Sequence, residues 1–213
     1  LYSRQDDRIK IVVYYIMNKI VNGIRSRKKA NDVIYTPKSV AELMIDLCDI
    51  QPNDKVLDPS KGGGVFYDNL GDCIKDYCEI TEDKDFFKYD KPADIIIGNP
   101  PYSLWNKWLE HTIKLNPKKF CYIFGVCNLT PLRLQNIFDA GYIVSKFHIC
   151  KVDWWFSPSF IVVFEKGNKE DSVISFTHKR ILCDVCGKRC NRGRTTTKNG
   201  VKTKHDPNKC SNE

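Results

Sequence analysis

At 213 residues, with 42% hydrophobic and 28% charged side chains, the chain can bury one α/β core of ordinary size plus a small appendage, which excludes two full domains and disorder throughout. The net charge of +8 is concentrated at one end: from Lys179 to Glu213 ten Lys and Arg face three acids, and the rest is near neutral. A near-neutral body with a cationic tail points to a polyanionic partner such as nucleic acid, the plainer alternative being a solvated tail that aids solubility.

In chain order, residues 4 to 22 carry helix-compatible periodicity that ends at Asn22-Gly23, and the basic run Arg25 to Lys29 reads as an exposed link. Within that helix the apolar run Ile11 to Met17 is flanked by Arg8, Lys10 and Lys19 and falls far short of the roughly 20 residues of a membrane helix. No span or secretory signal is visible, although the chain opens at Leu1 and a leader upstream would lie outside it. Thr36-Pro37 predicts a helix opened by a cap and a first-turn proline, with Val40, Leu43, Met44 and Leu47 as its apolar stripe. Short strands follow at Lys55 to Leu57, Asp76 to Ile80 and Ala93 to Gly98, the last buried through Ile95-Ile96-Ile97. The segment between Phe66 and Glu79 is short for a full crossover helix. A helix from Trp105 to Leu115, a strand from Phe120 to Val126, a helix from Pro131 to Ala140, and strands near Tyr142 to Cys150 and Phe160 to Glu165 complete a doubly wound α/β pattern, the last two strands able to pair as a hairpin. Gly167 to Asp171 is a linker candidate.

Six of the ten cysteines (Cys48, Cys73, Cys78, Cys121, Cys127 and Cys150) are scattered through apolar segments, where a free thiol packs as a small hydrophobe. That usage indicates a reducing compartment and a cytoplasmic location, with the nucleus left open.

Val56-Leu57-Asp58-Pro59-Ser60-Lys61-Gly62-Gly63-Gly64-Val65-Phe66 sets three glycines directly after an apolar strand. Glycines there allow positive φ and let the backbone approach a ligand at the carboxyl edge of the sheet, though a tight structural turn would look similar. Asp58, Pro59, Gly62, Gly64 and Phe66 fit DPxxGxGxF at every fixed position. This resembles the cofactor loop of the amino-methylating DNA methyltransferases rather than the GxGxxG of nicotinamide enzymes or the Lys-Ser/Thr ending of phosphate loops. The resemblance implies S-adenosylmethionine as cofactor, held by this loop with Ser60 in it. Glu79 stands near the end of the second strand, where an acid in such folds accepts from ribose hydroxyls; an ordinary surface acid is its bland reading. Asp85-Phe86 resembles the family's pair in which the acid takes the cofactor adenine amine and the aromatic packs on its ring. Tyr35-Thr36-Pro37 resembles the motif that holds the methionine carboxylate at a helix start, a natural anion site, although helix capping alone would also explain Thr36-Pro37.

Asn99-Pro100-Pro101-Tyr102 follows Ile95-Ile96-Ile97-Gly98 at the strand's carboxyl end, where doubly wound folds place their chemistry. With DPxxGxGxF upstream, this NPPY loop resembles that of the N6-adenine DNA methyltransferases, and the similarity runs from about residue 30 to residue 166. Adenine N6 is a poor nucleophile because its lone pair is delocalised into the ring, so attack on a sulfonium methyl requires a more tetrahedral nitrogen. The Asn99 side-chain oxygen and the Pro100 carbonyl can accept the two N6 hydrogens, catalysis then resting on orientation and electrostatics, with Asn99 also beside the cofactor. Pro101 stiffens the loop, and Tyr102 can stack on a base flipped from the duplex. Trp154-Trp155-Phe156 between the hairpin strands resembles the family's late aromatic motif, which implies another wall of the base pocket, with core packing of these aromatics the alternative. A proline-rich turn with an Asn cap is the structural alternative for the loop as a whole.

The resemblance implies a seven-stranded Rossmann-like sheet in a methyltransferase domain over 31–170, while helical periodicity places an N-terminal helix in residues 1–30 and the shift in composition sets off a separate module over 179–213. In that module Cys183-Asp184-Val185-Cys186-Gly187 is a CxxCG knuckle, and Cys190, His205 and Cys210 follow, offering five candidate ligands for the four positions of a structural Zn²⁺. Two spaced pairs favour Cys183, Cys186, His205 and Cys210, with Cys190 the substitute for His205; free thiols on a floppy tail are the alternative. Zinc binding could fold so short a segment, and its Arg189, Arg192 and Arg194 could grip phosphates and read guanine edges of double-stranded DNA.

The reading is therefore a site-specific adenine DNA methyltransferase of the restriction–modification kind, with a homodimer compatible with its length and no membrane partner. Its rivals are a methyltransferase acting on RNA adenine or on a protein glutamine amide, since release-factor methyltransferases also use NPPY, and a non-catalytic nucleic-acid-binding subunit.

Overall fold

A computed structural model describes residues 34–153, 155, 157–176, 196–198 and 201–203. The expected helix over residues 4 to 22, Trp154, Phe156 and all the candidate zinc ligands and arginines of the tail lie outside the described residues. The chain divides into two compact units, Leu1–Phe124 and Gly125–Glu213.

The first unit begins with helix α1 (Lys38–Cys48), which buries Val40, Ala41, Met44 and Cys48. Thr36 does not cap it. Pro37 occupies the cap position and no side chain bonds the first turn, because the Thr36 hydroxyl is engaged elsewhere. At the other end Lys119 Nζ donates to the Cys48 carbonyl at 2.7 Å, satisfying one of the last-turn oxygens. The apolar stripe is rotated from the expected one, with Leu43 and Leu47 only half-buried.

Strands β1 (Lys55–Asp58), β2 (Ile74–Tyr77), β3 (Ile95–Gly98) and β4 (Lys119–Gly125) run parallel in the spatial order β2-β1-β3-β4. β3 is buried at all four positions and β4 at six of seven, as expected of parallel strands covered on both faces. β2 is an edge strand with no buried residue, and the Tyr77 amide is taken by its neighbour Asp76 Oδ1 at 2.9 Å, which blunts one backbone group there. Helix α2 (Trp105–Leu115) packs on this layer through Trp105, Trp108, Leu109 and Thr112, the i, i+3, i+4, i+7 stripe of an amphipathic helix. Trp105 is fully buried and stacks on Phe124 at 4.1 Å and 11°. The Thr112 hydroxyl bonds both the Trp108 carbonyl and the Tyr122 hydroxyl, so these buried polar groups are satisfied.

Six strands form the mixed sheet among the described residues, not seven. Between β2 and β3 the chain makes two short 3₁₀ turns, Ile80–Glu82 and Phe86–Lys88. Glu79 and Asp85 each accept from the amide two residues on, Thr81 and Phe87, and such local side-chain bonds offer the backbone an alternative to a ladder. β2 also starts and stops earlier than the expected 76–80, which leaves Glu79 beyond the strand end, capping the first 3₁₀ turn. As the short spacing implied, the crossover from β1 to β2 has no helix. It is a run of turns pinned by Asp68 N to the Gly64 carbonyl and Leu70 N to the Phe66 carbonyl, with Phe66 and Leu70 buried.

In the second unit helix α3 (Pro131–Asp139) has Thr130 as its cap and Pro131 in its first turn. β5 (Tyr142–Cys150) and β6 (Ser159–Lys166) pair as the expected antiparallel hairpin, with a register shift between Val144 and Lys146. The candidate linker includes a 3₁₀ turn, Lys169–Asp171. Within the tail, β7 (Thr196–Lys198) and β8 (Val201–Thr203) form a short antiparallel pair.

All six body cysteines are free; Cys48, Cys78 and Cys121 are buried as small hydrophobes, whereas Cys127 is exposed. No helix among the described residues is long and apolar enough to cross a membrane.

Candidate active site

The carboxyl ends of β1 and β3 lie side by side, and the two sequence motifs leave from them. Gly98 ends β3 against Pro59, where an added Cβ would meet the proline Cδ at 3.2 Å, so the close approach of the two loops depends on that glycine. The glycine loop turns at Gly62 and Gly64, both at positive φ. It is tied to the β2 end by Cys78 N to the Asp58 carbonyl and Lys61 N to the Cys78 carbonyl, at 2.8 and 2.9 Å.

Asp58 is fully buried. Its Oδ1 accepts from the Ser60 amide at 3.1 Å, while Oδ2 has no hydrogen-bond partner. Burial pushes its carboxyl up to about 7, against the pull of the Ser60 amide. Ser60 also reaches the second motif, its hydroxyl donating to the Asn99 carbonyl at 3.4 Å.

Glu79 is held against the glycine loop. Oε2 accepts from the Gly62 amide at 2.8 Å, and Oε1 from the Thr81 amide and hydroxyl at 3.1 and 2.8 Å. Partial burial raises its pKa, but the bonds from Thr81 and Gly62 outweigh that and hold it below the ordinary value. Each oxygen keeps acceptor capacity for a ligand hydroxyl. Tyr35 is exposed and its ring lies alongside Gly63, 3.5 Å from where a Cβ would stand.

The Asn99 carboxamide is fixed by two acceptors. Nδ2 donates to the Ile34 carbonyl and to Thr36 Oγ1, each at 3.2 Å. Because a carbonyl cannot donate, this pair assigns the nitrogen end of the amide, and Oδ1 is left buried with no hydrogen-bond partner. A buried acceptor without a donor is uncommon in a settled interior. Next to it Pro100 is buried, and the half-buried Tyr102 ring lies 6.3 Å from Trp105 at 27°.

Asp85 and Phe86 follow Glu79, but their environments differ. Asp85 caps its 3₁₀ turn through Phe87 N at 2.9 Å. Phe86 is buried against Trp108 at 4.5 Å and against the edge of His111 at 4.7 Å, while Phe87 is the more exposed ring of the pair.

The structure thus gathers Thr36, Asp58, Pro59, Ser60, Gly98 and Asn99 at the carboxyl ends of β1 and β3, with Tyr35 and Glu79 against the adjoining glycine loop. Trp155 belongs to the second unit, where it is buried and its carbonyl accepts from Lys151 Nζ. Sequence reading missed Ile34, whose part is played by a main-chain carbonyl and leaves no side-chain signature, and Thr81, which supports Glu79. Among the described residues no three His, Cys, Asp or Glu are grouped to hold a metal ion.

The fold matches a methyltransferase crystallised with bound S-adenosylmethionine, the magnesium protoporphyrin IX methyltransferase of Synechocystis PCC 6803, at a TM-score of 0.50 over 61% of this chain and 77% of that one; at 13% identity the likeness concerns fold alone. Two Type II methyltransferases of Haemophilus influenzae, M.HincII and M.HindII, are each 34% identical over 100 residues, 40% of this chain. The chain spans about a fifth of the length of these relatives, 20% and 19%. Residues 12–87, which carry Tyr35-Thr36-Pro37, the glycine loop and Glu79, match the family described as N-6 DNA Methylase.

Proposed function

We propose that this chain transfers a methyl group from S-adenosylmethionine to the N6 amine of an adenine in a specific sequence of double-stranded DNA, in a restriction–modification setting. The observation that carries the proposal is the buried, unpartnered Asn99 Oδ1 in an NPPY loop beside a DPxxGxGxF turn. The comparisons support the cofactor side of this reading, and the adenine and the DNA rest on family resemblance and on the acceptor chemistry of Asn99.

The residues present fit the cofactor. The Glu79 carboxylate, ionised and fixed on the Gly62 amide, suits ribose hydroxyls. Tyr35, Thr36 and Pro37 at the start of α1 suit the methionine carboxylate, Asp85 suits the adenine amine, and Phe86, Phe87 or both border its ring. When bound, S-adenosylmethionine supplies an electrophilic sulfonium methyl. The protein's own part is orientation: Asn99 Oδ1 and the Pro100 carbonyl accept the two N6 hydrogens, so the nitrogen lone pair points away from them. Extruding the base costs a few kcal/mol, and stacking on Tyr102, worth about 1–3 kcal/mol, helps to offset that. Trp154 and Trp155 are proposed as a further wall for the base.

The tail is proposed as a zinc-folded recognition module, with four of Cys183, Cys186, Cys190, His205 and Cys210 as ligands and Arg189, Arg192 and Arg194 on DNA. The testing experiment is transfer of labelled methyl to unmethylated duplex DNA with identification of the product nucleoside. N6-methyladenine formed by the wild type and not by Asn99→Ala is the expected result; wild-type protein that binds cofactor yet labels no DNA sinks the substrate assignment.

A further inference from the structure

A primary carboxamide can present either a donor or an acceptor to a target, and here the chain decides which. We infer that Thr36, together with the main-chain carbonyl of Ile34, is a positioning residue that turns the Asn99 carboxamide oxygen toward the target and so selects a target that donates, a primary amine, over one that offers only lone pairs. The inference rests on the amine-methylation reading above and adds to it a second role for Thr36, which that reading places only beside the methionine carboxylate.

The argument is an inventory of hydrogens. Asn99 Nδ2 carries two, and both have acceptors at 3.2 Å, the Ile34 carbonyl oxygen and Thr36 Oγ1. Rotating the amide by half a turn would set Oδ1 against the Ile34 carbonyl, two acceptors with no proton between them, so Ile34 fixes the polarity. One bond would still let the amide plane swing about its terminal torsion, which is broad and soft for asparagine. The second bond, to Thr36, removes that freedom.

Thr36 is suited to the task. It is almost fully buried, and Pro37 behind it disfavours a helical conformation at position 36. The helix cap position falls on Pro37 instead, so the Thr36 hydroxyl is not spent on the first turn of α1. On the other side the Ser60 hydroxyl holds the Asn99 main-chain carbonyl. Asn99 is thereby gripped at its main-chain carbonyl and its amide nitrogen, and the remaining polar atom of its side chain, Oδ1, is buried without a partner. Accepting from Asn99 also leaves the Thr36 hydroxyl its own hydrogen, which can donate to an anion at the start of α1.

The test reads the amide directly and then the reaction. In ¹⁵N-labelled protein without cofactor, the Asn99 side-chain NH₂ signals, identified by their loss in Asn99→Ala, are compared in wild type, Thr36→Val and Thr36→Ser. Loss of one hydrogen bond is expected to shift these signals and speed their exchange by about tenfold in Thr36→Val, with Thr36→Ser close to wild type. In the transfer assay kcat falls by about tenfold in Thr36→Val, KM for DNA stays unchanged, and Thr36→Ser restores most of the rate. Unchanged amide signals in a folded Thr36→Val protein overturn the inference, as does a shifted amide with an unchanged kcat. Should the wild type methylate no DNA, the functional reading fails while the amide signals still decide the hold of Thr36. Should it methylate DNA with the amide indifferent to Thr36→Val, the positioning role alone falls.

Discussion

Thr36 Oγ1 accepts a hydrogen bond from Asn99 Nδ2 at 3.2 Å across a sequence separation of 63 residues, joining the peptide that enters α1 to the loop that leaves β3. With the Ile34 carbonyl fixing which end of the asparagine amide carries the donors, this bond holds the amide plane in place and leaves the oxygen as the open acceptor. That relationship makes Asn99 intolerant of its nearest isostere as well as of truncation.

Asn99→Ala removes the acceptor, and Asn99→Asp replaces the donor by an oxygen facing the Ile34 carbonyl. Both are expected to lower methyl transfer by about 10²–10³-fold, the scale seen when one preorganised electrostatic group is lost from an active site. Single-turnover transfer to duplex DNA measures this. An aspartate variant at the wild-type rate would show that the amide nitrogen has no part in the geometry.

Asp58 predicts a pH dependence of stability. Burial raises its carboxyl from 3.8 to about 7, so the folded state holds a proton that the unfolded chain has released across that window. The sign follows: this stability is fully present below about pH 4 and is lost as pH rises through about 7, at close to 1.4 kcal/mol per pH unit within the window. Denaturant unfolding of wild type and Asp58→Asn at several pH values should show the slope in the first and its reduction in the second. Parallel curves for the two proteins would mean that Asp58 titrates normally.

Gly64 stands at φ +83 and an added Cβ would lie 2.6 Å from Asp68 Oδ2. Gly64→Ala should destabilise by about 1–3 kcal/mol through the backbone alone. Because the Asp68 carboxylate can swing aside, adding Asp68→Ala should recover only a minor part. Full recovery in the double variant, read by thermal unfolding, would assign the cost to the clash instead.

Phe86 and Phe87 should separate stability from cofactor affinity. Phe86 is packed against Trp108 and His111, so Phe86→Ala is expected to cost about 3–5 kcal/mol of stability, whereas the half-exposed Phe87 should cost about 1 kcal/mol. Calorimetric titration with S-adenosylmethionine then tells which ring borders the cofactor. Equal stability losses in the two variants would contradict the packing described.

The zinc proposal is open to metal analysis. Purified protein should contain one zinc ion per chain, reduced by Cys183→Ser and Cys186→Ser, with weaker DNA binding and retained cofactor binding. Metal-free wild-type protein that binds DNA normally would dispose of the module.

Much of the fold was legible because it is written in short-range terms. The α2 bounds, Trp105–Leu115, and the β5 bounds, Tyr142–Cys150, were read correctly from periodicity, and the hairpin pairing of β5 with β6 followed from their succession. The apolar run Ile95-Ile96-Ile97 could only be a covered strand, and the NPPY and DPxxGxGxF loops had to leave strands at their carboxyl ends. The strand β2 was displaced because polar edge residues carry little hydrophobic pattern. The expected strand over 76–80 also ran too far, because Glu79 accepts from the Thr81 amide and caps a 3₁₀ turn instead of continuing the ladder.

The amino-acid sequence by itself determined the doubly wound order of elements, the two loops and the chemical types in them, since these depend on residues close in the chain. Tertiary structure alone decided what those residues do to one another. It took Thr36 from the helix cap it resembled and gave its hydroxyl to Asn99, set Glu79 on the Gly62 amide, and buried Asp58 with an oxygen unpaired. Hydrogen bonds to main-chain atoms such as the Ile34 carbonyl have no side-chain signature, and burial belongs to the assembled fold, so neither can be read along a single strand of sequence.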